Sequence, residues 1–178
     1  MRRALLAAMI ATAVAGIPVR PAHADGETVA LAVEGRVTVV RAGVGDIALA
    51  PGIVIESGDH LVSDDAGRAL IRSSDNALVS IGPYTQAMFD DGEGDGRNPI
   101  VTILSGDARI LLRETDSQSG TVIATKSAAI RARDAYFLVR HERGDERTRV
   151  LALSGSIDVA RAGDERVGEH PGVVDRGR

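Results

Sequence analysis

From Asp25 onward, apolar residues recur at every second position: Val37 and Val39, Ala69 and Ile71, Val79 and Ile81, Ile110 and Leu112, Phe137 and Val139, Ile157 and Val159. A period of two puts such residues on one face of a strand. Clusters of Gly, Asp and Ser separate the runs, as turns require. About a dozen runs of roughly four to eight residues lie between Val29 and Val174, and no window of about eleven residues carries a helical stripe. The pattern predicts an all-β chain.

One stretch of the chain resembles another. Gly35 to Gly58 aligns without gaps on Gly155 to Arg178 at an offset of 120. The identical pairs are Gly35/Gly155, Val39/Val159, Arg41/Arg161, Ala42/Ala162, Gly43/Gly163, Pro51/Pro171, Gly52/Gly172 and Val54/Val174. Val37/Ile157, Ile47/Val167 and Ile53/Val173 keep the alternation, and Gly106 to Leu112 is a shorter third copy of the glycine-led strand. A unit with one small apolar face is stable only beside its neighbours. The repeat therefore predicts β units stacked or wrapped into a solenoid-like or sandwich-like domain. It also predicts that Ile157 and Val159 point inward as Val37 and Val39 do, that Pro171-Gly172 turns as Pro51-Gly52 does, and that Val173 and Val174 begin a closing strand. The charge of residues 164–178 would by itself suit a frayed end.

The first 24 residues differ from the rest. Arg2 and Arg3 precede an apolar run from Ala4 to Gly16, then Pro18 and Ala22-His23-Ala24. Basic start, apolar middle and small-residue exit make up a cleavable signal peptide over residues 1–24, cut near Ala24. The run is about 13 residues, short of the roughly 20 that span a bilayer. Residues 25–178 are then a single domain, with a core at about 31–162 and a partial repeat to 178, periplasmic or secreted and without a transmembrane segment.

Charge and composition narrow the function. Lys+Arg 21 against Asp+Glu 25 gives a net charge of −4. Without Arg2, Arg3 and Arg20 the balance becomes 18 against 25, a net −7. An acidic chain does not grip phosphate backbones. Aromatic residues at 2% with no Trp give neither stacking platforms for bases nor ledges for sugars. With no Cys there are no disulfides, thiolate metal sites or cysteine nucleophiles. The near-exclusive use of Arg over Lys suits GC-rich bacterial coding.

Three stretches carry a family resemblance: Gly58-Asp59-His60-Leu61-Val62-Ser63, Ala66-Gly67-Arg68-Ala69-Leu70-Ile71, and Asp75-Asn76-Ala77-Leu78-Val79-Ser80-Ile81-Gly82. With Leu104 to Ala108, Ala124 to Ala128 and Arg133 to Phe137, they resemble the FecR domain over roughly Leu31 to Ala162. Asn76 stands where that family has a hairpin glycine, Lys126 where it has proline, and Asp134-Ala135 where it has Gly-Thr. The resemblance implies a periplasmic β domain from membrane-spanning regulators that sense ferric-siderophore uptake and control a sigma factor. It implies an exported, non-enzymatic binding or sensing module of the cell envelope, acting in signal transduction on a protein partner or envelope component.

Two clusters of side chains are candidate sites. Asp91, Glu93 and Asp95, followed by Gly96, match the first half of a calcium loop, but the twelfth position is Thr102 rather than a bidentate Glu. A solvated acidic hairpin accounts for the same residues. Arg131 and Arg133 alternate and share a strand face, fit to bind an anion or an acidic partner. Arg140, Arg143, Arg147 and Arg149 lie near them, as do Asp134, Glu142, Asp145 and Glu146, so a surface ion-pair ladder is the competing account. These clusters keep open a second function, a sensor of calcium, a small ligand or a ferric chelate. His60, His141 and His170 lack metal-ligand spacing, and no Gly-x-Ser-x-Gly elbow is present. A hydrolase, with a triad assembled from distant positions, is the remote third. No cofactor is expected, apart from the calcium of the acidic loop.

Overall fold

Alternating apolar residues need a second apolar face to cover them, and here the chain supplies it by folding one sheet over itself. The structure is a computed structural model that describes residues 26–90, 98–113, 120–144 and 147–163. Eleven strands are formed among them: β1 (Val29–Glu34), β2 (Val37–Arg41), β3 (Gly45–Ala48), β4 (His60–Ser63), β5 (Arg68–Arg72), β6 (Leu78–Ile81), β7 (Gln86–Phe89), β8 (Pro99–Leu112), β9 (Thr121–Thr125), β10 (Ala128–His141) and β11 (Thr148–Arg161). No helix appears among the described residues, as the alternation predicts.

All strands belong to one sheet, and its pairings divide it into two halves. In the first half β1 pairs with β5, β5 with β6, β6 with the second part of β8, and that part with residues 135–141 of β10. In the second half β3 pairs with β2, β2 with β4, β4 with β7, and β7 with the first part of β8. β9 closes this half between β8 and residues 129–132 of β10, and its pairing with β8 is the one parallel ladder among the described strands. β11 runs along β10 through both halves and pairs with no other described strand.

The halves share one core. Ile71, Val79, Ile110 and Phe137 come from the first, Val39, Leu61, Phe89, Ile103 and Ile130 from the second, and all are buried in the same cluster. The period-two pairs from Val37/Val39 to Phe137/Val139 are buried, as their spacing predicts.

The repeat acquires a structural meaning at the crossings between halves. Gly35 separates β1 from β2, while Gly106 and Gly155 sit inside β8 and β11, where each strand changes halves. The glycine therefore marks a corner rather than the start of a strand. Gly35 and its repeat mate Gly155 have φ of 64° and 76°, the left-handed region that side chains with a Cβ enter at a cost. A Cβ on Gly35 would stand 2.5 Å from the Ala66 carbonyl oxygen, and one on Gly155 would overlap the Asp134 carbonyl.

One expectation from the repeat fails. Ile157 is partly buried against the core, but Val159 is 53% exposed although it faces the buried Ile130 across the ladder. Val39 is fully buried because β2 has β3 on one side and β4 on the other. β11 has only β10 among the described strands, so its core-side residues lack cover. The predicted turn at Pro171-Gly172, the strand at Val173 and Val174, and the signal peptide over residues 1–24 lie outside the described residues.

Candidate functional site

With Ala69 and Ile71, Val79 and Ile81, Ala108 and Ile110, and Phe137 and Val139 pointing into the core, the residues between them face outward. The register sets these in rows across the first half of the sheet. Ser80 lies opposite Arg109, Arg109 opposite Leu138, and Leu138 opposite Leu151. In the next row Asp107 lies opposite Arg140, and Arg140 opposite Arg149. Together with Arg68 these residues line an open groove of about 620 Å³. Its floor is part aliphatic, since Leu138 is half-buried and Leu151 is 59% exposed at the edge strand.

Charge along the groove is only partly compensated. Arg140 donates from Nε to Asp107 Oδ1 at 2.5 Å and from Nη2 to Oδ2 at 2.8 Å, a two-point clasp. That clasp, first through the hydrogen bond and then through the charge of Asp107, holds the Arg140 guanidinium above its ordinary pKa. Arg149 donates from Nη1 to Glu142 Oε1 at 2.6 Å. Both are exposed surface pairs with little net effect on stability, and one of them uses Asp107, which lies outside the acidic residues named for the ladder from the sequence. Arg68 and Arg109 stand outside these pairs. Arg109 has Ser80 and Leu138 as its ladder neighbours, Arg68 has Glu34 opposite it on β1, and neither guanidinium makes an ion pair among the described residues.

A second groove, of about 490 Å³, continues from the first through Pro83, Asp107 and Arg140 to Tyr84 and His141. Tyr84 is 70% exposed and has φ of 52°, a conformation costly to a bulky residue. The loop around it is pinned at several points. The Tyr84 amide donates to the Asp64 carbonyl at 2.9 Å, the Ser63 hydroxyl to the Gly82 carbonyl at 2.7 Å, and the Thr85 hydroxyl to the Asp107 carbonyl at 3.1 Å. Buried Phe89 and Phe137 and half-buried Tyr136 leave Tyr84 as the exposed aromatic of the described residues.

Arg131 and Arg133 meet at another place. Their aliphatic stems approach Gly120, where a Cβ would be 3.4 Å from Arg131 Cγ and 3.1 Å from Arg133 Cγ. Arg131 is half-buried opposite Asp158 on β11, and Arg133 is exposed in the irregular corner of β10. Asp91, Glu93 and Asp95 lie outside the described residues. The chain on either side of them is joined, because the Asp90 amide donates to the Ile100 carbonyl at 3.0 Å. Among the described residues no three His, Asp or Glu side chains cluster as metal ligands.

His141 is buried, with Nδ1 3.2 Å from the Thr148 hydroxyl, which in turn meets the hydroxyls of Thr125 at 2.6 Å and Ser127 at 2.9 Å. This polar chain ties β9, β10 and β11 together. A part-buried knot was not anticipated from spacing: Arg41 donates from Nε to Asp59 Oδ1 at 2.9 Å and from Nη2 to Oδ2 at 2.6 Å and to the Val54 carbonyl at 3.0 Å. Arg68, Arg109, Leu151 and Tyr84 were also missed as a group. They come from separate segments, and only the strand register brings them to one face.

Residues 59–158 match the family model described as FecR protein. The matched span runs from the Asp59 knot to the second part of β11 and contains the whole groove. No match is found among curated proteins or among solved structures.

Proposed function

The chain belongs to the FecR family, a non-enzymatic signalling family of ferric-citrate-type regulation, and on that premise we propose that it is an exported envelope module that signals by binding another protein. The observation that carries this reading is the outward face of the first half-sheet. It presents aliphatic side chains and arginines in one groove, with Arg68 and Arg109 outside the ion pairs formed among the described residues. Surfaces of this mixed kind suit protein recognition, where arginine and tyrosine dominate the anchoring contacts. Fold alone does not transfer the family's circuit to this chain. No helix among the described residues is long and apolar enough to cross a membrane.

The proposal includes export through the segment at residues 1–24 and action in the periplasm or outside the cell. Amino-terminal sequencing of the protein recovered from a producing bacterium is expected to begin at Asp25. Photo-crosslinkers placed at exposed positions around the molecule are expected to capture one envelope protein, and deleting the gene is expected to alter a transcriptional response. A cytoplasmic protein with an intact amino terminus, or no capture from any position together with an unchanged transcript profile, would sink the reading.

A further inference from the structure

We infer that the groove crossing β5, β6, β8, β10 and β11 is the docking site for an acidic, extended segment of the partner protein, anchored at one end by Tyr84. The inference rests on the proposed signalling role and adds where the partner binds and what chemistry it brings.

Charge is the first argument. Four guanidiniums, those of Arg68, Arg109, Arg140 and Arg149, line the groove against the single carboxylate of Asp107. Surface pairs account for Arg140 and Arg149, whereas Arg109 lies between Ser80 and Leu138, and Arg68, although opposite Glu34 on β1, makes no ion pair with it. A chain of net charge −4 that sets four arginines along one groove is locally polarised there toward carboxylates.

Span is the second. From β5 to β11 the groove crosses four inter-strand spacings of about 4.8 Å each, roughly 19 Å in all. That is too long for one small polycarboxylate and matches about six residues of extended chain at roughly 3.3 Å each. Acidic side chains on one face of such a segment meet the guanidiniums in succession, while its apolar residues lie against Leu138 and Leu151.

The third argument is Tyr84. A bulky residue held at φ of 52° costs stability, and the pinned loop keeps it there with its ring in solvent. Glycine at this position would be easier for the fold. A strained, exposed aromatic next to an arginine groove is suited to be the anchor of an interface.

The test uses the purified protein, labelled with nitrogen-15 and titrated with a short peptide alternating Glu and Val, its Lys-for-Glu counterpart, and citrate. Saturable shifts of the amides of Arg109, Arg140 and Leu151 with the acidic peptide alone are expected. Arg109→Glu is expected to weaken binding by about tenfold, the loss of one charge-assisted contact. Tyr84→Gly separates binding from folding, since it is expected to raise the melting temperature and weaken the peptide. Equal binding of the Lys peptide, equal shifts by citrate alone, or an unaffected Arg109→Glu variant overturns the inference. So do shifts of the same amides on dilution of the free protein, which would assign the groove to a second copy of the chain. In the producing cell, a crosslinker at Val44 on the β2–β3 hairpin that captures the partner while one at Leu151 does not would remove this surface and leave the signalling role standing.

Discussion

The α-carbon of Gly155 rests against the carbonyl of Asp134, so closely that a Cβ on residue 155 has no room. The contact lies where β10 and β11 cross together from one half of the sheet to the other. Gly155→Ala combines left-handed strain with a backbone collision and is expected to cost about 3 kcal/mol. Gly163→Ala, at φ of 84° with open space around it, is expected to cost about 1 kcal/mol. Urea unfolding of both variants measures the difference, and equal costs would show that the corner is not tight.

Val39 and Val159 occupy the same place in the repeat but not in the core, at 0% and 53% exposure. Val39→Ala is expected to destabilise by about 2 to 3 kcal/mol, and Val159→Ala by less than about 0.5 kcal/mol. A Val159 cost as large as that of Val39 would mean that residues after Gly163 cover it, as the repeat predicted.

Asn76 has φ of 64° in the turn joining β5 to β6, closed by the Asn76 amide donating to the Ser73 carbonyl at 2.9 Å. Asn tolerates this conformation better than most residues with a Cβ. Asn76→Gly is expected to change stability by less than about 0.5 kcal/mol, whereas Asn76→Ala loses about 1 kcal/mol. Thermal melts that rank Ala above Gly would contradict the strain argument.

Arg41 joins two carboxylates of unequal burial: Asp59 is 2% exposed, while Glu56 is exposed and accepts from Nη1. Asp59→Ala leaves the Arg41 guanidinium without its two-point partner and is expected to lower the melting temperature by about 5 °C or more; Glu56→Ala is expected to lower it by less than about 2 °C. The hydrogen bond with Asp59 is the main cause holding Arg41 above its ordinary pKa. A raised basic group contributes fully below its unfolded pKa and loses that contribution only as pH climbs through the folded value. Melts between neutral and mildly alkaline pH are therefore expected to show no loss traceable to Arg41.

The acidic stretch at Asp91, Glu93 and Asp95 has a direct test. If it binds calcium, a hundredfold excess over the dissociation constant raises stability by about 2.7 kcal/mol, and chelation reverses the gain. An unchanged melting curve at millimolar calcium assigns these residues to an ordinary solvated turn.

The order of residues along the chain sufficed for the all-β class, the buried faces of β2, β5, β6, β8 and β10, and the family membership signalled by the stretch from Gly58 to Gly82. Alternation is a local property, written into each strand by its own side chains, and it needs no knowledge of neighbours. The repeat likewise located Gly35, Gly106 and Gly155 as related positions. Only the tertiary structure showed that they are corners, because a corner is defined by two strands changing partners at once. Register also decided which arginines matter together. Arg131 and Arg133 are close in sequence and share the neighbourhood of Gly120, yet Arg68, Arg109, Arg140 and Arg149 are scattered over four strands and meet across one groove. Whether Val159 is inside or outside depends on what pairs with the far edge of β11, a fact of pairing that identical residues at positions 39 and 159 do not encode.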